Sequence, residues 1–322
     1  MRFELQELVK GKDDMSPLVS VGIPTYNRPN QLKLALESIS RQTYRNLEII
    51  VSDNASTDPE VACVLNECSR ADDRIRWIRQ NENIGASANF AYVLGVSSGD
   101  YFMWAADDDE RECWFIERCL SALQSYPRAA AASAEVRYIC DGHPMPLFPQ
   151  SAAFYQYKFR EGEDSLSFVL ENNVDNLVYS LFRRSALLID GQFFWQRAGM
   201  RSTNEIPAIL YAAYHGGFVV LPTPGFFKSV SNDTYNYIYW EFCGGKIPAH
   251  ARLSSLSSIK GAWRYHQIAL KEICRSIDLI PIAEARRRSV KWLAKRALYF
   301  HYFQMLVGRK RARKSVPKEF HG

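Results

Sequence analysis

The chain has 322 residues, of which 47% are apolar and 23% charged, with a net charge of +5. Those values suit one large globular domain, or a core domain with an elaborated second half, and exclude a disordered or fibrous chain. The longest apolar runs are strand-sized, so no membrane span is expected, and the charged N-terminus holds no apolar stretch of signal-peptide length.

The net charge conceals an asymmetry. From Arg286 onward, twelve basic residues face Glu319 alone, close to +11, which leaves the preceding residues close to −6 of the +5 total. The body of the chain is thus no polyanion binder, and only the tail has that character. The seven cysteines, Cys63, Cys68, Cys113, Cys119, Cys140, Cys243 and Cys274, show neither C-x-x-C nor zinc-finger spacing. They read as free thiols in a reducing cytosol.

In chain order, residues 18–23 form a short buried strand expected to stop at Pro24. Asn27 then acts as an N-cap, and Leu32, Leu36 and Ile39 fall at helical spacing over residues 29–42. A strand over 47–51 ends in the polar loop 52–58, which can cap a helix over 59–70. Residues 74–79 alternate as a third strand. A helix starts near Gly85 and stops near Gly99, and the strand 101–104 runs into Asp107, Asp108 and Asp109. A helix through Trp114, Ile116 and Leu120 and a strand around 130–139 follow. Repeated units of this kind predict an α/β fold with a mainly parallel twisted sheet flanked by helices.

The second half is less regular. A long loop is expected over 141–165, helices at 165–173 and 204–215, a short strand at 219–221, and helical structure over 256–306 broken near Pro281. No internal repeat is present.

In parallel sheets, ligands bind beyond the carboxyl ends of the strands, and the polar clusters after the strands should converge there. Three adjacent aspartates repel one another, and burying them without a counter-charge is costly. A divalent cation with hard oxygen ligands, Mg²⁺ or Mn²⁺, removes the conflict. A solvated acidic loop is the plainer alternative. Tyr26 can stack on a nucleobase, Asp53 and Asn54 can pair with one, and Gly85 opens a helix whose N–H groups can face phosphate or ribose. Each cluster also reads as a turn or helix cap; their order is what carries the argument.

At this point the sequence resembles the inverting family 2 glycosyltransferases with the GT-A fold. The resemblance rests on VSVGIPTYNRPNQLKLALESISRQTYRNLEIIVSDNASTD and NENIGASANFAYVLGVSSGDYFMWAADDD, a little under half the chain. It implies a GT-A-like arrangement: a nucleotide-sugar-binding half over 16–140, an acceptor and base half over 141–255, and a helical, basic C-terminal extension over 256–322. It implies a nucleotide-diphosphate sugar donor of uridine, thymidine or guanosine type, and a saccharide or lipid-linked acceptor in cell-surface polysaccharide or glycolipid synthesis. Carried over by position, Pro24, Tyr26, Asn27, Asp53, Asn54, Asn83, Gly85 and Asn89 shape the nucleotide site.

The family's metal motif, Asp-X-Asp, fits the aspartates in two registers. One pairs Asp107 with Asp109; the other puts Ala106 at the motif's first position, Asp108 as principal ligand and Asp107 toward the ribose. Ala88 stands where many relatives carry Arg, leaving one diphosphate contact unassigned. Glu205 occupies the place of the catalytic base, against the simpler reading of a first-turn acid; Asp175, Glu161, Glu163 and Asp164 compete for the role.

The segment from Val290 to Ser315 mixes aromatic and basic residues. A core-packing helix with a solvated tail and a basic helix lying on the inner face of a membrane stand side by side; no nucleic-acid motif accompanies it. Two rival functions are a non-catalytic nucleotide-sugar-binding relative and a dinucleotide-dependent oxidoreductase. The turn GIPTYNRPN argues against the latter, because it lacks the G-x-G-x-x-G loop.

Overall fold

A computed structural model describes residues 16–140, 142–145, 163–171, 175–194, 205–234, 245–246, 256–307 and 309–310. Strands β1 (Val19–Thr25), β2 (Leu47–Asp53), β3 (Ile75–Arg79) and β4 (Tyr101–Trp104) lie in the order β3-β2-β1-β4, all parallel. Between them run helices α1 (Pro29–Ser40), α2 (Pro59–Ala71) and α3 (Ala86–Gly95). Short strand β5 (Glu110–Arg111), helix α4 (Phe115–Ser125) and strand β6 (Ala131–Cys140) follow.

The sheet continues past β4 through β8 (Leu181–Arg183), which is antiparallel to both β4 and β6. Beyond β6 lies β9 (Phe218–Ser229), parallel to β6 and antiparallel to β5. Strand β7 (His143–Pro144) pairs with the end of β6. Helix α5 spans Glu163–Glu171, α6 Ile206–Tyr214, α7 Leu256–Leu279 and α8 Glu284–Val307. The six longer strands of the sheet run one way and β8 interrupts them, so the mainly parallel α/β architecture is present.

The core follows the hydrophobic pattern. Val19, Val21 and Ile23 of β1 and Phe102 and Trp104 of β4 are fully buried. Leu32, Leu36 and Ile39 of α1 seat against them, as their spacing predicts. Gly22 lets α3 approach β1, since a Cβ there would stand 2.7 Å from Val93 Cγ2.

Some boundaries differ from expectation. β1 does not stop at Pro24. It continues to Thr25, and Pro24 pairs in register with Ser52. Asn27 is not the cap of α1: Arg28 holds that position, and Asn27 sits in a left-handed conformation with φ 55. The strand expected at 219–221 runs on to Ser229, with register shifts around Pro224 that absorb the missing N–H groups. Of the loop expected over 141–165, residues 143–144 pair as a strand and 163–165 open a helix; residues 141 and 146–162, with Glu161, lie outside the described residues.

The six described cysteines are free, and Cys243 lies outside the described residues, as does the basic tail beyond Lys310. Among the described residues, no helix is long and apolar enough to cross a membrane.

Candidate active site

The carboxyl ends of β1, β2 and β4 form one rim. Thr25 pairs in register with Asp53 across β1 and β2, and Asn54 N–H donates to the Thr25 carbonyl at 2.9 Å. On the other side, Thr25 Oγ1 donates to Asp107 Oδ2 at 2.7 Å. Thr25 therefore ties the loop after β2 to the aspartates after β4, and Tyr26, 41% exposed, stands beside it at the mouth. Pro24 is buried below.

Asp53 is fully buried. Its Oδ1 accepts the Ser56 N–H at 2.9 Å, and Oδ2 lies 3.6 Å from Arg79 Nη1. That second oxygen has no hydrogen-bond partner. Ala55, at φ 58, turns the loop sharply after it.

Asn54 joins two loops. Its Nδ2 donates to Asn83 Oδ1 at 3.0 Å, and its Oδ1 accepts the Ile84 N–H at 2.9 Å. Asn83 Oδ1 also accepts the Gly85 N–H at 2.9 Å, while Gly85, at φ +82, caps α3 in a conformation that suits glycine. Asn27 and Asn89 spend their amides on the scaffold. Asn27 Oδ1 accepts the N–H groups of Thr57 and Asp58 at 2.8 and 3.0 Å. Asn89 is buried and exchanges bonds with Ser52: its Nδ2 donates to the backbone carbonyl at 2.9 Å, and its Oδ1 accepts from Oγ at 2.6 Å. Both shape the rim from within.

The three aspartates part company. Arg28 Nη1 lies 3.0 Å from Asp107 Oδ1 and 2.6 Å from Asp108 Oδ2, so these two carboxylates share one positive centre. Asp109 turns toward β9, where its Oδ1 accepts the Ser229 N–H at 3.0 Å. Burial pushes the Asp109 carboxyl up to about 7, against the nearby Lys228 and with Asp108 adding to the rise. Burial also raises Asp107, opposed by its bonds to Thr25 and Arg28. Arg111, buried under Asp109, lies over the Phe226 ring at 4.7 Å, and burial lowers it to about 10.

Among the described residues, no three acidic, histidine or cysteine side chains converge as a metal cage. The pair Asp107 and Asp108 fits a hard divalent cation by donor chemistry, and it already surrounds one cationic atom. Arg28, Arg79 and Lys228 carry the local positive charge. Arg28 sits inside the sequence motif with no task evident from the motif alone; a single cation three residues past β1, opposite a run of acids, was the available signal.

Glu205 is the N-cap residue of α6, and its side chain makes no capping bond to that helix. It lies within electrostatic reach of Tyr265 on α7, whose phenol is raised by burial first and by the Glu205 charge second. Its neighbours Ser202, Thr203 and Asn204 fall outside the described residues, as does Glu161. Glu163 and Asp164 open α5 and Asp175 opens a 3₁₀ turn before β8.

A family model for glycosyl transferase family 2 matches residues 20–188, just over half of the 322-residue chain. The chain belongs to this family. The family 2 chain is 39% identical over 95 residues to the GalNAc(5)-diNAcBac-PP-undecaprenol beta-1,3-glucosyltransferase of Campylobacter jejuni, covering 29% of this chain and 30% of that protein. It is 32% identical over 149 residues to the putative colanic acid biosynthesis glycosyl transferase WcaA of Escherichia coli, covering 42% of this chain and 50% of that one. The chain thus spans no more than half the length of either relative.

Among solved structures, TarS of S. aureus (residues 1–349) superposes with a TM-score of 0.60 at 14% identity, covering 89% of this chain and 72% of that one. The mannosyltransferase PcManGT of Pyrobaculum calidifontis, in complex with GDP-Man and Mn²⁺, gives 0.54 at 15% identity, with 92% and 74% covered. At those identities the likeness is one of fold.

Proposed function

We propose that this family 2 glycosyltransferase moves a sugar from a nucleotide-diphosphate donor to an acceptor hydroxyl, with inversion, in building a cell-surface polysaccharide or glycolipid. The observation that carries the reading is the single rim at which Thr25 joins the Asp53–Asn54 loop to Asp107 and Asp108. A base pocket and a pair of carboxylates on one rim suit a nucleoside diphosphate laid across the strand ends. Solved neighbours described with UDP, UDP-GlcNAc and GDP-Man support a nucleotide-sugar donor. The names of two relatives, an undecaprenol-linked glucosyltransferase and a colanic acid enzyme, support a glycan or lipid-linked acceptor.

In this reading Tyr26 stacks on the base above Pro24, Asp53 meets its edge through the Oδ2 that has no hydrogen-bond partner, and Asn54 holds Asn83 and Gly85 as the wall of the ribose. Asp107 and Asp108 would hold Mg²⁺ or Mn²⁺, which supplies positive charge for the leaving diphosphate. Arg28, seated between those carboxylates, would give up that place to the cation. Glu205 accepts the proton of the acceptor hydroxyl as that oxygen bonds to the anomeric carbon. The bond from that carbon to the diphosphate oxygen breaks on the opposite face, and the nucleoside diphosphate leaves with the electron pair.

A screen of common nucleotide sugars by thermal shift, with and without Mn²⁺, tests the reading. One nucleoside diphosphate series should raise the melting temperature, and more so with the cation present, while NAD leaves it unchanged. A flat response to all of them would remove the donor assignment.

A further inference from the structure

We infer that the exposed face of the α7–α8 hairpin is a docking surface for an anionic lipid bilayer. The two helices together carry ten Lys and Arg against three acidic residues. The excess lies outward. Lys260, Arg264, Lys271 and Arg275 recur at intervals of four, seven and four on α7, one helical face, and all are exposed. Arg288 and Lys295 are exposed on α8. None of these six forms an ion pair with a described acidic residue, in contrast to Arg287, Lys291 and Arg296, which do.

Large apolar side chains share this face. Trp292, Phe300 and Phe303 on α8 are each more than half exposed, at 59%, 58% and 57%, and Trp263 and Ile268 of α7 are exposed to a lesser degree, at 43% and 42%. The two helices present one continuous seam: the Trp263 ring stacks on Tyr299 at 5.6 Å, and Lys295 Nζ lies 5.8 Å from the Tyr299 ring. A solvated helix face mixes both signs of charge and has little use for phenylalanine. A face of one sign with protruding aromatic rings gains by placing the rings among acyl chains and the cations among anionic headgroups. Like charge opposes self-association through the same face, and the phenylalanines offer nucleic acid no hydrogen bond.

The placement also has consequences for chemistry. α7 packs on α6, whose N-cap is Glu205, and the exposed Tyr265 that follows Arg264 on α7 lies within electrostatic reach of that carboxylate, so the surface borders the side of the molecule from which the proposed base would meet an acceptor. Docking there would bring a membrane-held acceptor hydroxyl to that side. The inference goes beyond the sugar-transfer reading, and its test requires neither donor nor turnover, so the two can fail separately.

The full chain should sediment with phosphatidylcholine vesicles containing roughly 30 mole per cent phosphatidylglycerol, and not with phosphatidylcholine alone. Raising salt from ~0.05 to ~0.5 M should release most of it. Replacing Arg288 and Lys295 together by Gln should weaken partitioning roughly 30-fold, and Phe300→Ser with Phe303→Ser should do at least as much. Brominated lipid should quench tryptophan emission in the unaltered chain, which keeps the test valid if a variant melts early. Equal binding to neutral and anionic vesicles, absence of binding to both, tighter binding to an RNA oligonucleotide, or a dimer broken by the same substitutions would each overturn the inference.

Discussion

Arg28 holds Asp108: its Nη1 stands 2.6 Å from Oδ2, and the same nitrogen reaches Asp107 at 3.0 Å. The guanidinium therefore occupies the point where the two carboxylates focus negative charge. Burial opposes its positive charge, yet the two aspartates hold its pKa above the ordinary value. Replacing Arg28 by Gln should cost about 1 kcal/mol of stability, a modest figure because its side chain is half exposed. The same variant should be stabilised more strongly by Mn²⁺ than the parent, because the cation no longer has a competitor. Paired thermal melts with and without Mn²⁺ check this, and an identical cation response in both proteins would dissociate Arg28 from the metal site.

Asp108 and Glu205 should separate cleanly by phenotype. Asp108→Asn removes a carboxylate from the proposed cation pair, so nucleoside diphosphate binding should lose its enhancement by Mn²⁺. Glu205→Gln keeps shape and removes the base, so binding should be retained while turnover falls by roughly 10²–10⁴-fold. Calorimetric titration beside a transfer assay reads both. Normal turnover in Glu205→Gln would pass the base role to Asp175, Glu161, Glu163 or Asp164.

The contrast between these two residues and their neighbours shows how far the sequence reaches. Over residues 16–140 the strands and helices were legible, because each is short, strongly patterned and bounded by polar loops. The convergence of Tyr26, Asp53 and Asp108 on one rim was legible too, since it follows from parallel strand ends. The direction taken by Asp109 was not. Its partner, Ser229, lies 120 residues away and belongs to a strand that two prolines had made to look short. Likewise Asn89 faces β2 because Ser52 offers both a hydroxyl and a carbonyl, a reciprocal pairing no local pattern reports. β8, three residues long, inserts antiparallel between β4 and β6 with too few residues to show a period.

Two glycines should respond oppositely to Ala. At Gly22 a Cβ would stand 2.7 Å from Val93 Cγ2 and 2.9 Å from Phe102 Cζ, both in the core. Gly22→Ala should therefore cost about 1–3 kcal/mol through overpacking, and should pry α3 from β1. Gly95 ends α3 with nothing within 4 Å of an added Cβ. Gly95→Ala should raise stability by roughly 0.5–1 kcal/mol by restricting the unfolded chain. Urea titration of the two variants against the parent measures both signs; a neutral Gly22→Ala would mean that α3 packs less closely than the structure shows.

Asp72 meets Arg74 through two bonds, Nε to Oδ1 at 2.8 Å and Nη2 to Oδ2 at 2.7 Å, and Arg74 Nη2 also donates to the Ser40 carbonyl at 2.9 Å. The cluster pins the end of α2 to the end of α1. The bonds from Arg74, outweighing burial, hold the Asp72 carboxyl below its ordinary value of 3.8. A depressed carboxyl stabilises the fold fully above the unfolded value and loses that contribution as pH falls through the folded one. Asp72→Asn should therefore cost about 1 kcal/mol at neutral pH. The gap between variant and parent should stay constant down to about pH 5 and then close progressively through the range below 3.8. Unfolding free energies measured from neutral pH into acid supply the comparison. A gap that widened in acid would mean that the ion pair does not govern this corner, because protonation can only bring the parent toward the behaviour of the neutral amide.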